Sequence, residues 1–274
     1  MMRPTLTPWN RSGGDRVPVA TAMGGGGAFG IAFHMGITRA LIDEGVRIDQ
    51  GPMIGVSAGA YVAAALATDT SLDSIAQVWN DYQVTRSRGR ARTADITGPL
   101  FGGRRDARVT GVCVSSHWPA PVLLAGADHD LDDVVAAAAS PLGLARGHQV
   151  GGRKLYDAGM YWNTAAHKAP PSDLLIVLPA LTGDHPTAMA PVWESQLRLE
   201  LHTRHSSKHR RTVVIRPDRA VLTAGANRLG DLLDMRNAAA TFRAAYRQGQ
   251  RVAPSVLAAQ QCLYSPFEAL PCIA

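Results

Sequence analysis

The chain is poor in the features that would place it among membrane-spanning, disulfide-stapled or metal-binding proteins. Of its 274 residues only three are cysteines, Cys113, Cys262 and Cys272. None stands in a C-x-x-C pair, so neither a disulfide framework nor a zinc site is indicated, and a reducing compartment is the simpler setting. No stretch supplies the roughly 18 uninterrupted apolar residues that a spanning helix needs, and the opening MMRPTLTPWNRSGGDR lacks the apolar centre of a secretory signal. Aromatics make up 6% of the residues, and the basic residues are not interleaved with stacking rings or a recognised helix motif, so nucleic acid is not an expected partner. Internal repeats are absent as well. A protein in the cytoplasm, at most peripheral to a membrane, fits these absences.

What is present is enough apolar material for one large core: 46% of the residues are hydrophobic. The net charge of +6 and pI near 9.6 rest mainly on arginine, and the basic residues are clustered. Arg86, Arg88, Arg90, Arg92, Arg104, Arg105 and Arg108 form one group. Arg204, Lys208, Arg210 and Arg211, with His202, His205 and His209, form another. Such groups either face an anionic lipid surface or acidic substrate or are solvated surface.

Residues 1–16 carry no periodic apolar pattern and read as a flexible leader. A strand then spans about Val17–Met23, followed by a glycine loop and a helix from Ile31 to Glu44. Further helices are expected at Ser71–Tyr82, Leu131–Ala139, Val192–His202 and Asn227–Gln248. Strands are expected at Thr110–Ser115, Val122–Ala125, Gly152–Tyr156, Asp173–Leu178 and Thr212–Ile215. The span from Val84 to Arg108, broken by Gly98, Pro99, Gly102 and Gly103, reads as a basic loop or lid. Residues 251–274, with Pro254, Pro266 and Pro271, read as an irregular tail packed on a domain of residues 17–250. Alternating strands and helices imply an α/β three-layer sandwich around a largely parallel central sheet.

Two stretches carry chemistry. Gly51 to Gly59 reads GPMIGVSAG, which places Ser57 between Gly55 and Gly59 where a short apolar strand meets an alanine-rich helix. In a G-x-S-x-G elbow the serine is held in a strained conformation with its hydroxyl exposed. Upstream, Gly24 to Gly30 open a helix with unpaired N–H groups at its positive end, a site for negative charge. Gly25, Gly27 and Gly30 formally satisfy the dinucleotide pattern G-x-G-x-x-G, with Asp49 near the distance of the acidic partner. An acyl-transfer enzyme, which needs donors aimed at an oxyanion, uses both the loop and the elbow.

With Asp157-Ala158-Gly159 as a third motif, the order GGGAFG, GVSAG, DAG resembles the patatin-like phospholipase family of bacterial lipid acyl hydrolases, whose pattern is G-G-G-x-R-G, G-x-S-x-G and D-G-G or D-G-A. The resemblance implies a patatin-like α/β fold and hydrolysis of lipid esters through a Ser-Asp dyad, with no metal or organic cofactor. Ser57 would be nucleophile and Asp157 general base. Gly25, Gly26, Gly27 and Ala58 would supply oxyanion N–H groups, with Gly30, Gly55, Gly59 and Gly159 as motif glycines. Two residues depart from the pattern. Phe29 stands where the family has arginine, and Ala158 replaces a glycine, which matters if that position needs a positive φ. Three alternatives remain. One is a Ser-His-Asp esterase drawing on His185, His202, His205 or His209; another is an acyltransferase; the third is a lipid-surface or nucleic-acid binding protein with a degenerate site.

Overall fold

The computed structural model describes residues 16–86, 92–115, 118–143, 145–226, 232 and 234–261. Strand β1 (Val17–Met23) starts the sheet with the bounds its apolar run suggests. Alternate side chains of β1 enter two cores: Val19 and Met23 join one, Ala20 and Ala22 the other. The same split runs through β7 (Ser172–Leu178), where Leu174, Ile176 and Leu178 face the first core and Leu175 and Val177 the second. A strand buried on both faces needs cover on both. Helices α1 (Gly27–Asp43), α2 (Ala58–Thr68), α5 (Leu131–Ala138) and α8 (Ala238–Gln261) cover the first face. Helix α6 (Ala190–Lys208) covers the second through Leu197 and Leu201. The expected three layers are therefore present.

The sheet is mixed. Strands β3 (Val109–Ser115), β2 (Met53–Gly55), β1, β7 and β8 (His209–Val214) are parallel in that order. Strands β4 (Trp118–Ala125), β5 (His148–Val150) and β6 (Arg153–Asp157) join antiparallel. Short connections join β3 to β4 and β5 to β6, as antiparallel neighbours allow, while α5 (Leu131–Ala138) lies between β4 and β5.

Two expectations about loops are corrected. The described residues of the span from Val84 to Arg108 are largely helical rather than a loop: α3 (Leu72–Arg86) reaches into it, and α4 (Ala94–Phe101) buries Ile96, Leu100 and Phe101 beside α5, while residues 87–91 lie outside the described residues. Three of its arginines are also committed. Arg104 donates to the carbonyl oxygens of Leu100 and Thr68, and Arg105 pairs with Asp130 at 2.6 Å. Arg108 holds Asp106 and the Asp49 carbonyl. Nor does the chain turn irregular at Arg251, because α8 continues through Pro254 to Gln261 and buries Ala253 and Val256. A proline inside a helix costs a hydrogen bond, and here the packed face outweighs it. The helix expected from Asn227 begins instead at Ala238, behind a 3₁₀ turn at Met235–Asn237, and a further helix, α7 (Arg219–Gly225), precedes it. Residues 1–15 and 262–274, hence most of the leader and the end of the tail, lie outside the described residues.

Candidate active site

The parallel strands β1 and β2 end side by side, with Met23 opposite Gly55, and both the glycine loop and the elbow start there. Ser57 adopts φ 52° and ψ −114°, a region costly for any residue with a Cβ. The turn is this tight because two glycines permit it. A Cβ on Gly55 would stand 2.4 Å from the Gly59 carbonyl carbon, and one on Gly59 would stand 2.1 Å from the Met23 oxygen. The Gly59 N–H then donates to Gly24 O at 3.1 Å, which ties elbow to loop.

Asp157 reaches Ser57 through the register of β3. Thr110 and Gly111 pair with Ile54 and Gly55 of β2 on one edge of β3 and with Ala125 and Leu124 of β4 on the other. Cys113 pairs with Val122 of β4 and Asp157 of β6, so β6 occupies the edge that β2 has vacated. Gly55 and Asp157 thus sit two residues apart along one edge, about 7 Å. The C-terminal end of α5 steadies both ends of this arrangement: Ser57 N–H donates to Ala138 O at 3.1 Å and Asp157 N–H to Ser140 O at 2.9 Å.

The Ser57 hydroxyl donates to the Asp157 carboxylate, and Gly159 N–H donates to Asp157 Oδ1 at 2.7 Å. Burial raises the Asp157 pKa to about 6, against the opposing pull of those two hydrogen bonds. Burial also drives the neighbouring Cys113 thiol well above its ordinary value, reinforced by the Asp157 charge, so it is no rival nucleophile. Ala158 is fully buried and has no positive φ; the position does not require the family's glycine.

The glycine loop lies against the nucleophile: a Cβ on Gly25 would be 3.6 Å from Ser57 Cβ, and one on Gly30 would be 3.0 Å from Ala58 Cβ. Gly27 and Ala58 are the first residues of α1 and α2, whose first-turn N–H groups have no intrahelical acceptor. Gly25 differs, because its N–H donates to the carbonyl oxygen of Asn163 at 2.9 Å. Gly26, Gly27 and Ala58 N–H groups have no acceptor among the described residues.

Asn163 is a residue that sequence reasoning missed. It is 3% exposed, its Oδ1 has no partner among the described residues, and its Nδ2 lies 3.3 Å from where a Gly25 Cβ would be. Nothing in a single sequence marks it, because its contact with the loop is made across the sheet. Phe29 is packed into the core against Phe33 and the edge of the His185 ring, so no polar group replaces the family's arginine there.

The four histidines of the triad alternative separate. His185 is buried, its pKa lowered to about 4 by that burial, and its Nδ1 accepts from Thr187 N–H at 3.2 Å. His202 is exposed on α6, and the side chains of His205 and His209 lie outside the described residues. Asp49 precedes β2, at the opposite end of the strands from the glycine loop, so the dinucleotide arrangement is not formed. No cluster of three His, Cys, Asp or Glu residues able to hold a metal occurs among the described residues. No helix among them is long and apolar enough to cross a membrane.

Residues 21–108, which hold the end of β1, the glycine loop and the elbow, match the patatin family, described as patatin-like phospholipase. A search of curated proteins finds no match. Among solved structures the fold is similar to that of human GIVD cytosolic phospholipase A2, with a TM-score of 0.52 at 10% identity over 90% of this chain. The chain spans 62% of that protein's length. The segment carrying the glycine loop and the Ser57 elbow thus matches the patatin-like phospholipase family model, within a chain whose fold is similar to that of the human cytosolic enzyme.

Proposed function

We propose that the protein is a serine acyl hydrolase that cleaves carboxylic esters of lipids through a Ser57–Asp157 dyad, without a metal or organic cofactor. The observation that carries this reading is a serine at a left-handed elbow whose hydroxyl donates to a carboxylate with a pKa of about 6. That carboxylate is ionised at neutral pH yet basic enough to accept a proton, the compromise a general base needs. As an ester carbonyl settles over the elbow, Ser57 Oγ attacks its carbon and Asp157 takes the proton. The N–H groups of Gly26, Gly27 and Ala58 stabilise the oxyanion; Gly25 shapes the loop rather than donating. Asp157 returns the proton to the departing alcohol, leaving an acyl-enzyme on Ser57. Water, deprotonated by Asp157, then attacks the acyl carbon, and collapse of the second intermediate frees the fatty acid and restores the serine.

A lipid substrate also agrees with the rim of the site. Met160 and Tyr161, just beyond Asp157, are 65% and 42% exposed, an apolar edge that contact with a lipid surface would cover. We place the protein in the cytoplasm, meeting such surfaces peripherally. The reading is tested by a serine-reactive fluorophosphonate on wild type, Ser57→Ala and Asp157→Asn. Labelling should disappear in the first variant and slow sharply in the second; undiminished labelling of Ser57→Ala would refute the assignment.

A further inference from the structure

We propose that the side-chain amide of Asn163 is a catalytic group that donates a hydrogen bond to the oxyanion formed on Ser57, in place of the backbone donor that Gly25 has given up. The proposal rests on the acyl hydrolase reading and adds a residue to the same reaction.

In the resting protein the Asn163 amide has no partner at either end. The residue is 3% exposed. Its Oδ1 is enclosed without a donor, and its Nδ2 meets no acceptor among the described residues. Buried polar groups left in this state are rare and costly. Beside a nucleophile, an atom of the reacting substrate accounts for such a group by completing it.

The amide faces the nucleophile across the bare Cα of Gly25. A Cβ on Gly24 would stand 3.3 Å from Asn163 Oδ1, whereas one on Gly25 would stand 3.3 Å from Nδ2 and 3.6 Å from Ser57 Cβ. The oxygen end therefore lies against Gly24, and the donor end lies against the side of Gly25 that turns toward the serine. Two distances that meet at one point place Nδ2 within about 7 Å of Ser57 Cβ, a gap covered by a three-bond span of roughly 2.9 to 3.8 Å and an N–H···O contact of about 3 Å. Three bonds is the separation of Cβ from the carbonyl oxygen once Ser57 Oγ has bonded to the ester carbon.

Main-chain contacts fix this side chain in place. Asn163 O accepts from Gly25 N–H at 2.9 Å, and Asn163 N–H donates to Gln196 Oε1 at 3.2 Å. Just beyond, Ala165 is left-handed at φ 50°, and Ala166 N–H donates to the buried Glu200 carboxylate at 2.7 Å. Helix α6 carries both Gln196 and Glu200, so a single rigid element holds the segment that presents the amide. A donor fixed in advance needs no reorganisation when charge develops. As Ser57 Oγ attacks, the π pair of the carbonyl moves onto its oxygen, and Asn163 Nδ2–H meets that new charge together with the backbone N–H groups. When the double bond re-forms and the alcohol departs with the proton from Asp157, the amide is unpaired again. An interaction made only at that stage raises kcat and leaves KM alone.

The test compares wild type with Asn163→Leu, which is close in volume and has no donor, and with Asn163→Ala; melting curves verify folding. Both variants keep the main-chain bonds to Gly25 and Gln196. For a short-chain p-nitrophenyl ester, kcat should fall about 10²- to 10³-fold, with KM within about threefold. An alkyl trifluoromethyl ketone, which forms an anionic hemiketal on a reactive serine, should lose affinity by a similar factor. A kcat within fivefold of wild type in either folded variant overturns the proposal. So does a fall in kcat with unchanged affinity for the ketone, which would make Asn163 a support of the loop. In wild type labelled with 15N-asparagine, one of the five side-chain amide signals should move downfield as the ketone adduct forms; if none moves, the proposal fails independently of any variant. If wild type neither hydrolyses the ester nor takes up the fluorophosphonate, the acyl hydrolase reading itself fails, and the role of Asn163 with it.

Discussion

The proposed nucleophile and its base come from parts of the sheet built in opposite ways. Ser57 is positioned locally: a parallel strand ends, two glycines remove the side chains that would block the turn, and the serine is forced to φ 52°. Asp157 is positioned at long range: its strand is antiparallel, and its register on β3 opposes it to Cys113. The first arrangement stores backbone strain and the second stores electrostatic strain, because burial holds the Asp157 pKa near 6 while its ionised form is the one the chemistry uses. Damage to the elbow should therefore be structural as well as chemical, whereas damage at Asp157 should remove chemistry and relieve the fold.

Substitutions at the two places test that contrast. Ser57→Ala should abolish esterase turnover, a loss of about 10⁴-fold or more, with melting temperature nearly unchanged because Ala fits the space. A residual rate within tenfold of wild type would place the nucleophile elsewhere. Gly59→Ala should lose activity and also stability by about 3 kcal/mol or more, since its Cβ would meet the Met23 oxygen at 2.1 Å. Chemical denaturation measures this, and a change under 1 kcal/mol would show that the elbow can relax.

Asp157→Asn should act in two directions. Activity should fall about 10² to 10⁴-fold, and the rise of wild-type kcat/KM with a midpoint near pH 6 should vanish. Stability should move oppositely. The folded pKa of about 6 lies above the ordinary 3.8, so the fold prefers the protonated acid. That preference is fully present below pH 3.8 and is lost as pH rises through about 6. At pH 8 the ionised carboxylate then costs up to about 3 kcal/mol, which asparagine escapes. Urea denaturation should find the variant more stable at pH 8, with the gap narrowing toward pH 5. A gap independent of pH would mean that desolvation is not the cause.

The same contrast explains what could be read from the sequence. The bounds of β1, the elbow and its glycines were legible because local sterics dictate them. Asp157 was legible as a motif but not as a contact, since its approach to Ser57 depends on which edge of β3 is free. One of the proposed oxyanion donors is engaged elsewhere. Gly25 resembles Gly26 and Gly27 in sequence, and its N–H is occupied by Asn163 O, a partner more than 130 positions away. Helix α4 read as a loop because Gly98 and Pro99 break its pattern, but burial of Ile96, Leu100 and Phe101 overrides them. Pro254 likewise looked like a stop, and the buried Ala253 and Val256 beside it show packing prevailing over propensity.

The smallest expected effect is at His185. A histidine completing a triad would face the serine, carry a pKa near the working pH and be oriented by a carboxylate. His185 instead has a pKa of about 4, accepts a backbone N–H from Thr187, and meets Phe29 edge-on with ring centroids 5.3 Å apart. These are the surroundings of a neutral packing residue. His185→Phe keeps the ring volume and removes a buried polar edge, so kcat/KM should stay within about threefold of wild type and the pH midpoint near 6 should not move. A loss near the 10³-fold or greater scale of a missing triad member, in a variant that melts like wild type, would return the base to histidine and leave Asp157 as its orienting partner.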